Sequence, residues 1–140
     1  LQHASKNLDS SEKFSLGGVS GIRAYPSGEA SGDEGHKLSF EIQYDLSKPD
    51  ADFDLIGTLF YDYGKIRQYK DSSNITLTTP NEYSLSGWGV SVDLIANERV
   101  KLNLGWAQAI GDNDGLSAAG NNSDGRGGSS RAWFQVIFRF

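Results

Sequence analysis

The 140-residue chain has no cysteine, no methionine, only three prolines and no long apolar run. Without cysteine there is neither a disulfide framework nor a cysteine-ligated metal site. Without a run of about 18 apolar residues no segment can cross a bilayer as a helix. A membrane β-barrel stays open, because its strands need only about ten alternating residues. Positive charge is also in deficit: 13 lysines and arginines face 18 acidic residues, for a net charge of −5. Phosphate backbones demand a concentrated basic face, so nucleic acid is excluded as a partner. With Leu1 first and no methionine anywhere, the chain reads as a piece of a longer protein.

What the chain does have is glycine and alternation. Glycine occupies 17 positions, and six of them fall within the twenty residues 16–35, around a single arginine, Arg23. Such a stretch turns sharply but has too few apolar side chains to build a core. It therefore reads as a long loop over 17–35, held by something else. The flanking sequence has the two-residue period of strands.

The clearest strands can be phased residue by residue. Leu38, Phe40, Ile42, Tyr44 and Leu46 oppose Lys37, Ser39, Glu41, Gln43 and Asp45. Next, Phe53, Leu55, Leu59, Tyr61 and Tyr63 oppose a face that carries Thr58, Phe60, Asp62 and Gly64. Trp88, Val90, Val92 and Leu94 oppose glycines, Ser91 and Asp93, and Leu102, Leu104 and Trp106 oppose Lys101, Asn103 and Gly105. The last strand sets Ala132, Phe134, Val136, Phe138 and Phe140 against Arg131, Trp133, Gln135, Ile137 and Arg139. A weaker strand is expected over 2–15. In every phased strand one face is bulky and the other polar or small.

The connections alternate in length: long at 17–35, short at 47–52, long at 67–82, short at 96–99, long at 111–130. Short turns on one side and long loops on the other are the rhythm of an outer-membrane barrel. A soluble sandwich has no reason for it. The expected fold is all-β, an antiparallel portion of a transmembrane β-barrel with about six strands. Barrels begin at about eight strands, so either the parent protein supplies the rest or copies pair edge to edge.

Residues 7–18, 21–26, 28–29 and 32–35, then Phe60-Tyr61-Asp62-Tyr63-Gly64 and the closing Phe138-Arg139-Phe140, resemble the haemolysin secretion/activation family, the outer-membrane translocators of two-partner secretion. The likeness covers nearly the whole chain. It implies the C-terminal part of a bacterial outer-membrane barrel of about sixteen strands, whose plug helix, periplasmic POTRA domains and earlier strands are absent here. It implies a translocator that secretes and activates a large β-helical exoprotein, a haemolysin or adhesin, without nucleotide hydrolysis.

The resemblance also turns the 17–35 loop into the barrel lumen. There Arg23, within Gly21-Ile22-Arg23-Ala24-Tyr25, pairs with Asp62 of the wall motif Phe60, Asp62 and Gly64. The commoner family form has glycine where this chain has Ala24. The final strand, with Phe134, Val136, Phe138 and Phe140, is implied to be the signal read by the barrel-assembly machinery. Implied partners are the exoprotein, outer-membrane lipid and that machinery. The alternative is a small outer-membrane barrel acting as a porin, adhesin or binding module.

No enzyme, metal site or cofactor is expected. The segments around Asp112 and Asp124 lack the ligand spacing of a calcium loop, so 111–130 reads as a flexible outer loop. Gly17-Gly18-Val19-Ser20-Gly21 is followed by neither a Lys-Ser/Thr pair nor a helix, so it cradles no phosphate. Glu29, Asp33 and Glu34 read as solvated loop charges. Trp88 and Trp106 fit a lipid-interface girdle, whereas Trp133 falls on the polar face without an evident reason.

Overall fold

Alternating side chains and short polar turns build an antiparallel meander. In the computed structural model of the protein, which describes residues 1–77, 79–96 and 99–139, two short strands come first, β1 (Phe14–Ser15) and β2 (Ser31–Gly32). Five long ones follow: β3 (Glu34–Asp45), β4 (Phe53–Arg67), β5 (Glu82–Ala96), β6 (Val100–Ile110) and β7 (Ser130–Phe138). The long strands pair in sequence order, β3-β4-β5-β6-β7, each antiparallel to the next. β1 and β2 pair separately, Phe14 opposite Gly32. No described residue is helical.

The register aligns the period-two patterns of all five strands, so the exposed bulky side chains gather on one face. One face carries Phe40, Ile42, Leu59, Tyr61, Trp88, Val90, Leu104, Trp106, Phe134 and Phe138, all exposed. A contiguous apolar surface of this extent is a membrane or partner face in a natural protein. Trp88 and Trp106 meet on it edge to face, their ring centroids 5.5 Å apart.

The core lies on the opposite face. There Leu16, Ile22, Ala24, Tyr25 and Ala30 from the β1–β2 connection pack against Phe60, Ile66, Tyr83, Leu85 and Ala107 of the sheet. The glycine-rich segment lacks a core of its own, and it supplies half of this shared one.

The expected strand over 2–15 is a correction. Only Gln2, bridged to Gly35, and Phe14–Ser15 pair, and Glu12 N–H closes a turn onto the Asp9 carbonyl. Lys6, Asp9, Glu12 and Lys13 leave this stretch too few apolar residues on one face to bury. The result is five long strands and two short ones instead of six alike. The loop is also shorter than 17–35, because the β1–β2 pairing closes its base and β3 already begins at Glu34. β4 and β5 both run further toward the long-loop end than alternation alone marks. Asn97 and Glu98 of the expected 96–99 turn, and Phe140 of the last strand, lie outside the described residues.

Candidate functional site

The β1–β2 connection is buried against protein, so its backbone polar groups must be satisfied internally. Leu16 N–H donates to the Ala30 carbonyl at 2.9 Å, Ile22 N–H to Leu16 at 2.5 Å, Gly21 N–H to Gly18 at 2.8 Å and Tyr25 N–H to Ile22 at 3.1 Å. These successive tight turns lay Ile22 and Ala24 down on the sheet with Arg23 between them. Two wall glycines leave room for them. A Cβ on Gly64 would stand 2.5 Å from Leu16 Cδ2 and 3.2 Å from Ile22 Cδ1, and one on Gly87 would stand 2.5 Å from the Ala24 methyl. The wall at Gly87 thus accommodates the methyl by which Ala24 departs from the commoner glycine.

Arg23 meets Asp62 side-on. Its Nε donates to Oδ2 at 2.8 Å, its Nη2 to Oδ1 at 2.9 Å, and its own backbone N–H adds a third bond to Oδ2 at 3.1 Å. The remaining arm, Nη1, lies 2.7 Å from Glu41 Oε1 on β3. The guanidinium carbon sits 3.5 Å from the centroid of the Phe60 ring, within cation–π range. Asp62 is 1% exposed in its side chain, Arg23 14% and Glu41 39%. Burial works to lower the Arg23 pKa, but the bonds and charges of Asp62 and Glu41 outweigh it and hold the value above its usual level. A planar fork, two carboxylates and an aromatic face use every feature that distinguishes arginine from lysine.

Two further acids anchor the same segment, and both correct the expectation of solvated loop charges. Glu29, 5% exposed, accepts from the Ser123 N–H at 2.6 Å and from the Asn113 amide, both in the β6–β7 connection. Far from being free, that connection is fastened onto the β1–β2 loop. Asp33, fully buried, accepts from Leu8 N–H at 3.2 Å and Lys70 N–H at 2.8 Å, with Lys13 Nζ at 3.3 Å. Burial favours its neutral form, but the two amides and Lys13 prevail and hold its carboxyl below the usual range. Glu34 is likewise engaged, by Lys70, Arg67 and His3. Burial, and next the Glu29 charge, push the Tyr25 phenol up. Its hydroxyl has no hydrogen-bond partner among the described residues.

The structure therefore brings together Gly21, Ile22, Arg23, Ala24 and Tyr25 with Phe60, Asp62 and Gly64. Phe134, Val136 and Phe138 lie on the other, exposed apolar face, and Phe140 is outside the described residues. Glu41, Glu29 and Asp33 are the acids whose contacts with this region sequence reasoning missed. For Glu41 a signal existed: it lies on the polar face of its strand, and in register it sits opposite Phe60 and one step from Asp62. Trp133 finds its reason too, packing on Phe60 with centroids 6.1 Å apart and donating Nε1–H to Asn103 Oδ1 at 2.7 Å. From Arg23 a polar groove of about 340 Å³ continues toward the short-turn end past Gln43, Ser91, Asp93, Asn103 and Gln135. Chemically the arrangement can grip a loop and line a passage. Among the described residues no group of three or more potential ligands could hold a metal.

Residues 1–94 match the family described as haemolysin secretion/activation protein ShlB/FhaC/HecB. Over 139 residues, 99% of this chain, it is 35% identical to the heme/hemopexin transporter protein HuxB of Haemophilus influenzae strain KW20/Rd. Against the protein of the same name from strain 86-028NP the identity is 34% over 112 residues, 80% of this chain. The chain covers only 23% and 20% of those two relatives, respectively. No solved structure gives a significant match.

Proposed function

The chain belongs to the ShlB/FhaC/HecB haemolysin secretion/activation family, and from that membership we propose that it forms the C-terminal wall of a bacterial outer-membrane barrel that secretes and activates a partner exoprotein. The observation that carries this reading is the division of the sheet. One face is apolar and exposed, while the other is polar and gripped by an arginine loop. In hydrocarbon, strands are satisfied only in a closed barrel, so further strands complete one of about sixteen, with POTRA domains on its periplasmic side.

In this reading the apolar face meets lipid, and the groove from Glu41 to Gln135 lines the passage for an extended exoprotein, without nucleotide hydrolysis. Arg23, held at Asp62 and Glu41, is the strut that fixes the loop in the lumen. The last strand, with Phe134, Val136, Phe138 and Phe140, presents the signal to the barrel-assembly machinery. The name of the relatives makes a heme- or hemopexin-linked exoprotein the first cargo to try.

The test is secretion of the cognate exoprotein by cells carrying the full-length protein. Asp62→Asn and Arg23→Lys are each expected to lower secretion at least tenfold at unchanged outer-membrane abundance. Undiminished secretion by both variants removes the strut role. Secretion that is independent of the protein removes the translocator reading.

A further inference from the structure

We infer that the outer end of β3, β4 and β5 binds a phosphorylated glycolipid of the outer leaflet through Lys65, Arg67 and Lys70. The inference rests on the outer-membrane reading above. The long connections mark the outer end of the sheet, and the register there stacks two rows on the lipid face. His36, Lys65 and Ser84 form the first, and Glu34, Arg67 and Glu82 form the second. Directly inward on the same face come Leu38 and Tyr63, then Phe40, Tyr61 and Trp88. The charged rows thus stand where headgroups meet hydrocarbon.

Lys65 and Arg67 of those rows, with Lys70 from the connection that follows β4, are three permanent cations that share two carboxylates. Lys65 Nζ lies 3.1 Å from Glu82, Arg67 bridges Glu82 at 2.5 Å and Glu34 at 3.2 Å, and Lys70 Nζ lies 2.8 Å from Glu34. Each ammonium uses one of its three donors in these pairs, which leaves donors and one positive charge in excess. They line a cleft of about 280 Å³ together with His3 and His36. Surplus donors gathered at one cleft suit a multidentate anion such as a phosphate.

A second observation separates a lipid from a free phosphate. On the same face, roughly 13 Å below Lys65 at the rise of a strand, an apolar groove of about 390 Å³ runs between Phe40, Ile42, Leu59, Tyr61 and Trp88. A phosphate in the upper cleft and an acyl chain in the lower groove belong to one amphipathic molecule.

The experiment uses the full-length protein extracted from outer membranes in mild detergent, with bound glycolipid counted by native mass spectrometry. Wild type is expected to retain about one phosphorylated glycolipid per chain. Retention should fall at least tenfold in the triple variant Lys65→Gln/Arg67→Gln/Lys70→Gln and persist in Lys65→Arg/Lys70→Arg. Heat-modifiable gel mobility reports folding. If the triple variant does not fold, Lys70→Gln alone, outside the strands, should still lower retention about threefold.

Equal retention by wild type and the folded variants overturns the site. So does equal uptake of the dephosphorylated glycolipid. Complete displacement by millimolar inorganic phosphate assigns the cleft to a free anion and overturns the lipid. A protein absent from the outer-membrane fraction defeats the outer-membrane reading itself. A protein present there without glycolipid defeats only the site.

Discussion

Replacing Asp62 by asparagine removes one charge from the grip on Arg23 and almost nothing of its shape. The carboxylate is 1% exposed and takes three N–H bonds from one residue. Breaking a buried ion pair by removing one partner costs about 3–5 kcal/mol, because the other charge is left uncompensated. Arg23 keeps Glu41 at 2.7 Å, so the lower end applies, about 3 kcal/mol. At about 1.4 kcal/mol per tenfold, the open population of the loop rises roughly a hundredfold. Glu41 is 39% exposed, so Glu41→Gln is worth only about 0–1 kcal/mol. Amide hydrogen exchange of the full-length barrel reads both, through peptides that contain Gly18, Gly21, Ile22 and Tyr25. Their protection should fall about a hundredfold in Asp62→Asn and less than tenfold in Glu41→Gln. Protection within threefold of wild type in Asp62→Asn, or a larger loss in Glu41→Gln, would refute the assignment of the buried pair as the main restraint. Arg23, raised above an already high pKa, stays charged throughout, so the grip should not vary between pH 6 and 9.

Gly64→Ala should push Leu16 off the wall, overpacking by about 1–3 kcal/mol, and limited proteolysis should then cut within 16–30 sooner. Glu29→Ala leaves the Ser123 amide without its acceptor, a cost of about 1–3 kcal/mol, and should raise exchange in 111–129 while leaving the Arg23 side protected. Asp33 has a folded pKa below its unfolded value of about 3.9, so its stabilisation is complete above that value and is lost as pH falls through the folded one. Protection of the Leu8 and Lys70 amides, taken relative to their intrinsic exchange rates, should therefore fall below about pH 4 in wild type and stay level across that range in Asp33→Asn. The isolated chain, whose outer strands β3 and β7 have no neighbouring long strand on their far sides among the described residues, should assemble in water, and a monodisperse soluble monomer in sedimentation would contradict the membrane face.

The long strands were legible because a sheet with two chemically different faces must largely alternate, and 38–46 and 88–94 do so throughout, 53–64 and 100–110 with exceptions at Ile56, Gly57, Phe60 and Gln108. Asp62 could be set on the polar face from that phase alone, whereas its contact with Arg23 came from resemblance, since nothing in local sequence says where a glycine-rich loop returns. Glu29 and Asp33 were misread for the same reason: a carboxylate between glycines looks solvated until another segment brings amides to it. The partners of Glu29 lie more than 80 positions away. Trp133 needed the interstrand register, which set it beside Asn103 and Phe60. The stretch 2–15 failed in the opposite direction, its scattered apolar residues counted as a strand although no face of it had enough of them to bury.

The shared core of the loop and the sheet makes the obstruction and the masonry the same object. Leu16, Ile22, Ala24, Tyr25 and Ala30 lie across the polar side of the wall and are also half of what keeps that side packed. If the protein is the translocator proposed above, a mechanism that ejected the whole loop to clear a path would dissolve the interior of the C-terminal wall just as an exoprotein passed it. On that proposal the cheapest route runs alongside the loop, past Gln43, Ser91 and Gln135, with the arginine left in its seat.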